Sequence, residues 1–414
     1  MAKVAVLGHG VVGSGVVEVL MKNTGNITQK AGESIEVKYI LDIREFNDLS
    51  YKDKFTKDFS VILHDPEISV VAEVMGGLSP SFEYVRACLE AGKSVVTSNK
   101  ELVAAKGALL LNIAREHNVN FFFEASVGGG IPIIRPLHQC LAANKINEIA
   151  GILNGTTNFI LTKMIHEQMD FSEALALAQK LGYAERNPAA DVEGYDTCRK
   201  ICILASLAYG KHIYPDSVYT EGITKITLAD VQYADNWGGV IKLIGRAKHL
   251  EDGRCLIMVS PALIARTSQL AGIEDVFNGI LVRGDATGDV VFYGRGAGKL
   301  PTASAVVADI IDAVKAAGTH KSLYWVDDGK NWAINYKESE TAFYLRLTGK
   351  PAAELKELAQ AQFGEIEVLT QKEQPADEFA CVTQSINEGR MDELVSGLTA
   401  AGACVASKIR VLEY

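Results

Sequence analysis

This chain contains no uninterrupted apolar run long enough to cross a bilayer. Its opening, MAKVAVLGHG, has no apolar signal core ending in a cleavage site. Basic residues are the minority, 41 Lys and Arg against 51 Asp and Glu, and the net charge of −10 argues against nucleic acid or an anionic membrane as main partner. The seven cysteines are scattered through 414 residues and build no disulfide framework, and no His/Cys cluster suggests a metal cage. Cys198 and Cys202, the nearest pair, read as small buried residues on a helix. A reduced, cytoplasmic protein is expected. What remains, 48% hydrophobic and 22% charged residues, describes ordinary globular domains, two or three at this length.

A short buried-strand pattern, KVAVL at 3–7, runs straight into Gly8-His9-Gly10-Val11-Val12-Gly13. Val12, Val16, Val17, Leu20 and Met21 then recur at helical spacing. In this order the first glycine permits a tight turn and the second lets backbone approach a pyrophosphate. The third allows close helix–strand packing, and the helix N-terminus offers its N–H groups to phosphate. A dinucleotide site is therefore expected at the turn, with His9 read as an exposed loop histidine. The next strand, 36–41, ends in Asp42-Ile43-Arg44. An acid there suits the ribose of NAD, and an arginine suits the 2′-phosphate of NADP. With Arg44 present and Lys57 further on, NADP is favoured and NAD is also expected to serve.

Strands at 70–74, 94–97 and 120–124 alternate with a helix at 80–91, as a doubly wound parallel sheet requires. Lys100 and Glu124 each fall at the carboxyl end of a strand, where such sheets bind ligands. Gly128-Gly129-Gly130 leaves carbonyls unshielded by side chains. Together with the carbonyls of Val127 and Glu124 they suit a hard monovalent cation such as Na⁺. A flexible hinge between domains explains the same run equally well.

After Pro136 the βαβ rhythm breaks. A strand at 146–151 precedes Leu153-Asn154-Gly155-Thr156-Thr157-Asn158, with a helix from Phe159. A second helix, opened by Asp170 or Ser172 as cap, leads through Leu181 into GYAERNPAADVEGYDTCRK at 182–200. Beyond Asp196, the spacing of Ile201, Leu204 and Ala208 is helical, so Asp196 and Lys200 stand on one side. A carboxylate and an ammonium fixed there can hold a charged substrate and move a proton. The plain alternative is a surface ion pair contributing a few tenths of a kcal/mol.

Taken together, GHGVVG, TSNK at 97–100, EASVGGGIP at 124–132, GILNGTTNFI at 151–160, LGYAE…D…EGYD…RK at 181–200 and GRGAGKLPTASAVVADI at 294–310 resemble the homoserine dehydrogenase family. These motifs keep the family's order over residues 1 to about 320. The resemblance implies an α/β chain: a Rossmann-type nucleotide-binding domain over 1–135, completed by about 300–320, and an α+β catalytic and dimerisation domain over 136–300. It implies reversible NAD(P)-linked interconversion of aspartate 4-semialdehyde and homoserine, in a homodimer or homotetramer. By the same resemblance Lys200 and Lys100 are the catalytic candidates, Glu185 and Asp196 hold the substrate amino group, and Tyr183, Asn154, Gly155 and Thr156 line the pocket. Cofactor contacts fall to Gly8, Gly10, Val11, Val12, Gly13, Arg44, Lys57, Lys100 and Gly298. The main-chain oxygens of Glu124, Val127, Gly129 and Ile131 would bind the monovalent cation. In the loop at 182–196, Arg186 and Asn187 replace part of the Glu-Pro-Asp-Pro turn of many relatives.

Residues 340–414 read as β-α-β-β-α-β, the ferredoxin-like order, and resemble an ACT domain, which implies a threonine effector. Gly349-Lys350-Pro351-Ala352 departs from the usual Asp-x-Pro-Gly turn, and a role in assembly alone is the alternative. No kinase-like segment precedes residue 1, so a monofunctional enzyme is expected. Two other functions compete. An aspartate-semialdehyde dehydrogenase needs an activated cysteine, and Cys88, Cys140 and Cys255 lack that setting. A nucleotide-sensing regulator without activity would not need Lys100, Glu185, Asp196 and Lys200.

Overall fold

The computed structural model describes residues 1–321 and 323–414. Its first sheet has six parallel strands: β1 (Ala2–Leu7), β2 (Ile35–Leu41), β3 (Phe55–Thr56), β4 (Ile68–Glu73), β5 (Ser94–Thr97) and β6 (Phe121–Phe122). Between them run α1 (Val11–Lys22), α2 (Thr24–Ala31), α3 (Phe59–His64), α4 (Ser81–Glu90) and α5 (Lys100–Glu116). The order β3-β2-β1-β4-β5-β6 is that of a doubly wound dinucleotide fold, with its switch point between β1 and β4. Val4, Val6, Val71 and Val96 are fully buried, because both faces of such a sheet are covered by helices. The strand expected at 120–124 shrinks to β6. Beyond it the Glu124 N–H donates to the Asp309 carboxylate and the Ser126 N–H to Phe123 O, which turns the chain out of the sheet.

The middle of the chain contributes β7 (Ile146–Ile152), α6 (Gly155–Glu167), α7 (Phe171–Lys180), α8 (Ala189–Val192) and α9 (Tyr195–Tyr209). After these come β8 (Tyr219–Thr220), α10 (Leu228–Trp237), β9 (Gly239–His249), β10 (Cys255–Ala265), β11 (Phe277–Gly284) and β12 (Gly288–Arg295). Helix α6 begins four residues ahead of the expected Phe159, because Asn154 caps it by accepting the Thr157 N–H at 2.9 Å. A reciprocal capping box between Asp170 and Glu173 opens α7. The chain then returns to the first sheet as α11 (Lys299–Lys315). Helix α11 lies against α1 so closely that a Cβ on Gly15 would stand 2.8 Å from Lys299 O.

The last elements are β13 (Glu340–Thr348), α12 (Ala352–Phe363), β14 (Ile366–Leu369), β15 (Glu378–Thr383), β16 (Ile386–Asn387), α13 (Glu388–Ala400) and β17 (Cys404–Leu412). They form the antiparallel order β17-β13-β15-β14 of a ferredoxin-like unit. Phe343, Leu345, Leu355, Met391 and Leu398 build its core. The sheet does not stop there. Strand β17 pairs in parallel with β10, with Ala262 opposite Arg410, and the sheet runs on through β9, β7, β11 and β12. No helix among the described residues is long and apolar enough to cross a membrane.

Candidate active site

At the switch point the glycine turn after β1 meets the loop after β4. Gly8 adopts φ +96°, and a Cβ there would lie 3.0 Å from Met75 Cγ. One on Gly13 would lie 2.0 Å from Gly8 O, whereas around Gly10 there is open space to 4 Å. Packing therefore demands the first and third glycines. The second keeps the start of α1, at Val11 and Val12, open to an anion. Gly298, at φ +123°, caps α11.

His9 is buried, not exposed as expected. Its ring meets Phe46, Tyr51 and Phe55 edge-on, and its N–H donates to Asp42 Oδ2 at 2.8 Å. The turn folds back onto the end of β2, a contact local sequence does not reveal. Asp42 and Arg44 point to opposite cofactors in the sequence but form one bidentate pair here, Nε to Oδ1 at 2.9 Å and Nη2 to Oδ2 at 2.8 Å. The guanidinium of Arg44 holds the Asp42 carboxyl well below the usual carboxylate range. Lys57 is exposed and paired with Glu45 at 2.9 Å.

Sequence reasoning missed Glu73, a fully buried carboxylate at the end of β4. One oxygen accepts from the Met75 and Gly76 N–H groups and the Ser81 hydroxyl; the other accepts from Thr97 Oγ1 at 2.6 Å. Thr97 Oγ1 in turn accepts the Asn99 N–H, and Asn99 caps α5 by accepting from Leu102 N. This chain of bonds fixes Lys100, the first residue of α5. An acid inside the apolar strand ISVVAE was the available signal.

Lys100 and Lys200 converge on Asp196. Gly194, at φ +86°, caps α9 and leaves Asp196 in its first turn, with Lys200 one turn on. Lys200 is 7% exposed; its Nζ donates to Asp196 Oδ2 at 2.8 Å and to Leu153 O at 2.7 Å. Its third N–H has no partner among the described residues. Lys100, from the nucleotide fold, forms an ion pair with the other Asp196 oxygen. Burial alone would push the Asp196 carboxyl up, but the two ammonium groups overcome this and hold it well below the carboxylate range. Burial pushes Lys200 below the usual lysine value; Asp196 opposes that shift and Lys100 adds to it.

Asn154 organises the opposite wall, donating to Asp196 Oδ2 at 2.9 Å and Asp191 Oδ1 at 2.7 Å. Asp191, given no role from sequence, is the second carboxylate of the cluster, and burial raises its pKa. Gly155 begins α6 with its Cα facing Val276 O, where a Cβ would come within 2.8 Å. Thr156 donates to Tyr183 O at 2.6 Å, and the exposed Tyr183 ring rests on Phe159. Glu185 lies outside the buried cluster: it is exposed, and its carboxylate forms no ion pair or hydrogen bond among the described residues.

The glycine run at 128–130 is tightly packed. Cβ atoms on Gly128 and Gly129 would stand 2.4 Å from Ile131 O and 2.3 Å from Gly296 O. The Glu124 carboxylate is taken up by the N–H groups of Ile133, Ile134 and Arg135. The carbonyls of Val127, Gly129 and Ile131 accept no hydrogen bond among the described residues, which leaves their lone pairs available to a hard monovalent cation. Of the cysteines weighed for acyl-enzyme chemistry, Cys88 and Cys255 are poorly suited, since burial pushes Cys88 up to about 12 and Cys255 up to about 11.

A family model described as Homoserine dehydrogenase matches residues 132–311, and one described as Homoserine dehydrogenase, NAD binding domain, matches 8–124. A homoserine dehydrogenase of Pseudomonas aeruginosa is 39% identical, with 99% of this chain and 98% of the relative aligned. The crystal structure of a homoserine dehydrogenase from Thiobacillus denitrificans superposes with a TM-score of 0.90 at 34% identity, covering 100% of this chain and 98% of that one. A hyperthermophilic archaeal homoserine dehydrogenase in complex with NADPH superposes with a TM-score of 0.65 at 27% identity, over 75% of this chain and 97% of that one. Matched along its length in both sequence and fold, the chain belongs to the homoserine dehydrogenase family, oxidoreductases with a nicotinamide-nucleotide domain.

Proposed function

We propose that this chain catalyses the reversible reduction of L-aspartate 4-semialdehyde to L-homoserine, on the route to threonine, methionine and isoleucine, with NADP preferred over NAD. The observation that carries this reading is the Lys100–Asp196–Lys200 cluster, which joins the nucleotide fold to α9 through one buried carboxylate. A bound nicotinamide supplies or accepts the hydride. Hydride addition to the aldehyde leaves an alkoxide, which Lys200 protonates through its unpartnered N–H while Lys100 polarises the oxygen. In homoserine oxidation the same Lys200, its neutral form made accessible by burial, takes the proton back. Asp196 and Glu185 hold the substrate amino group, and Tyr183, Asn154, Gly155 and Thr156 line the pocket.

The bare carbonyls near the glycine run support a Na⁺ site at the main-chain oxygens of Glu124, Val127, Gly129 and Ile131. It would tie the end of the first sheet to the segment around Gly296. The ferredoxin-like unit at the C-terminus is assigned as an ACT-type module with threonine as effector, in a cytoplasmic homodimer or homotetramer. NADPH oxidation on adding aspartate semialdehyde tests the central reading. Silence rejects it, and phosphate-dependent NADP⁺ reduction would make the chain an aspartate-semialdehyde dehydrogenase instead.

A further inference from the structure

The loop that delivers Asp196 leans on a segment braced from the C-terminal unit. Gly222 lies directly on the loop backbone: a Cβ there would stand 2.1 Å from Val192 O and 2.5 Å from Glu193 Cα. Ile223 N–H donates to Val192 O at 2.8 Å. A Cβ on Gly194, the cap of α9, would stand 3.1 Å from Thr220 Cγ2 and 3.2 Å from Val259 Cγ1. Residues 192–194 thus take their position from 220–223.

The supporting segment is held by the buried side chains of Val218, Ile223 and Ile226, by Tyr219 stacked on Tyr336, and by contacts to β10 and β17. Strand β8 pairs with β10 over two residues, and Glu221 N–H donates to Val259 O at 2.8 Å. Its polar link to β17 is Glu221 Oε2, which accepts from Tyr219 Oη at 3.1 Å and from Arg410 Nη1 at 3.0 Å. Arg410 is 1% exposed and cannot wander: Nε and Nη2 grip Glu388 at 2.9 and 2.6 Å, and the guanidinium lies over the Tyr219 ring. Glu388 already balances its charge. The Glu221 side chain is 28% exposed and does not need Arg410 for solvation. The contact therefore joins β17 to the segment whose Gly222 and Ile223 lie against Val192 and Glu193.

We propose that Arg410 and Glu221 form a positioning strut by which the C-terminal unit holds residues 192–194, and through them Asp196 and Lys200, in place for the substrate. The strut rests on the proposed homoserine chemistry, because substrate KM is one of its readouts. Glu221→Ala in the full chain leaves Arg410 paired with Glu388 and strands no buried charge. It raises the KM for homoserine about tenfold, equivalent to about 1.4 kcal/mol, while the KM for NADP⁺ stays within about twofold. The melting temperature stays within about 2 °C of wild type. Glu221→Gln keeps an acceptor for Arg410 and recovers most of the loss. Amide hydrogen exchange at 189–196 quickens in Glu221→Ala. A homoserine KM within about twofold of wild type, or an equal rise in the cofactor KM, overturns the strut. Unchanged exchange at 189–196 overturns it too, and that measurement needs no turnover; a wild-type chain inactive on homoserine counts against the proposed function alone.

Discussion

Two buried charge clusters in this molecule use similar side chains to opposite ends. Between α10 and β13, Arg346 donates to Asp230 Oδ1 at 2.9 Å and Glu378 Oε2 at 2.8 Å. Thr227 occupies the second Asp230 oxygen, and Tyr233 and Gln371 occupy the second Glu378 oxygen. Every carboxylate oxygen is partnered, and the planar guanidinium that saturates them stays charged at any working pH. Around Asp196 the cations are lysines. One is buried with an N–H to spare, and the other's side chain is 38% exposed. A saturated cluster fixes the packing of two units, whereas an unsaturated one can exchange a proton.

Lys200→Met breaks the contrast most severely. Asp196 keeps Lys100, so the fold and NADP⁺ affinity survive while kcat falls about a thousandfold. Steady-state rates and a cofactor titration check this. The pH profile sharpens it: with Lys200 as the proposed proton donor, aldehyde reduction is expected to decline as pH rises through the Lys200 pKa, and homoserine oxidation to rise through the same point. Burial places that limb below the ordinary lysine value, and the variant loses it. Arg346→Met makes the complementary break by stranding Asp230 and Glu378. Urea unfolding then shows a loss of about 3 kcal/mol, with kcat per folded molecule retained. Asp196→Asn weakens the grip on substrate and both lysines, lowering kcat/KM for homoserine about a hundredfold. The smallest effect is expected at the Asp42–Arg44 pair, where a buried carboxylate meets an exposed guanidinium. Arg44→Ala frees Asp42 for a ribose and shifts the kcat/KM ratio of NADP to NAD about tenfold toward NAD. An unchanged ratio would remove Arg44 from cofactor choice.

Much of this was legible before any coordinates. The glycine turn, the apolar strands and the four-residue spacing of Asp196 and Lys200 are short-range patterns, each dictated by the geometry of one turn or one helix. Three features were not. Glu73 meets Thr97 across 24 residues, Asn154 meets Asp196 across 42, and His9 packs into aromatic residues brought from beyond β2. Glu185 was read from its motif, and the fold leaves it exposed beside the buried cluster, with no ion pair or side-chain hydrogen bond among the described residues.

By itself the amino-acid order determined that strands and helices would alternate around a phosphate-accepting turn, and that an acid and an amine would share one helical face. Periodicity and steric demand are local, and a chain carries them wherever it goes. Only the folded molecule decided that Lys100 would arrive at the same carboxylate from a different sheet, that one lysine would be stripped of water, and that the terminal strand would join the catalytic sheet. Those outcomes depend on which distant surfaces exclude solvent together, and no stretch of residues holds that information alone.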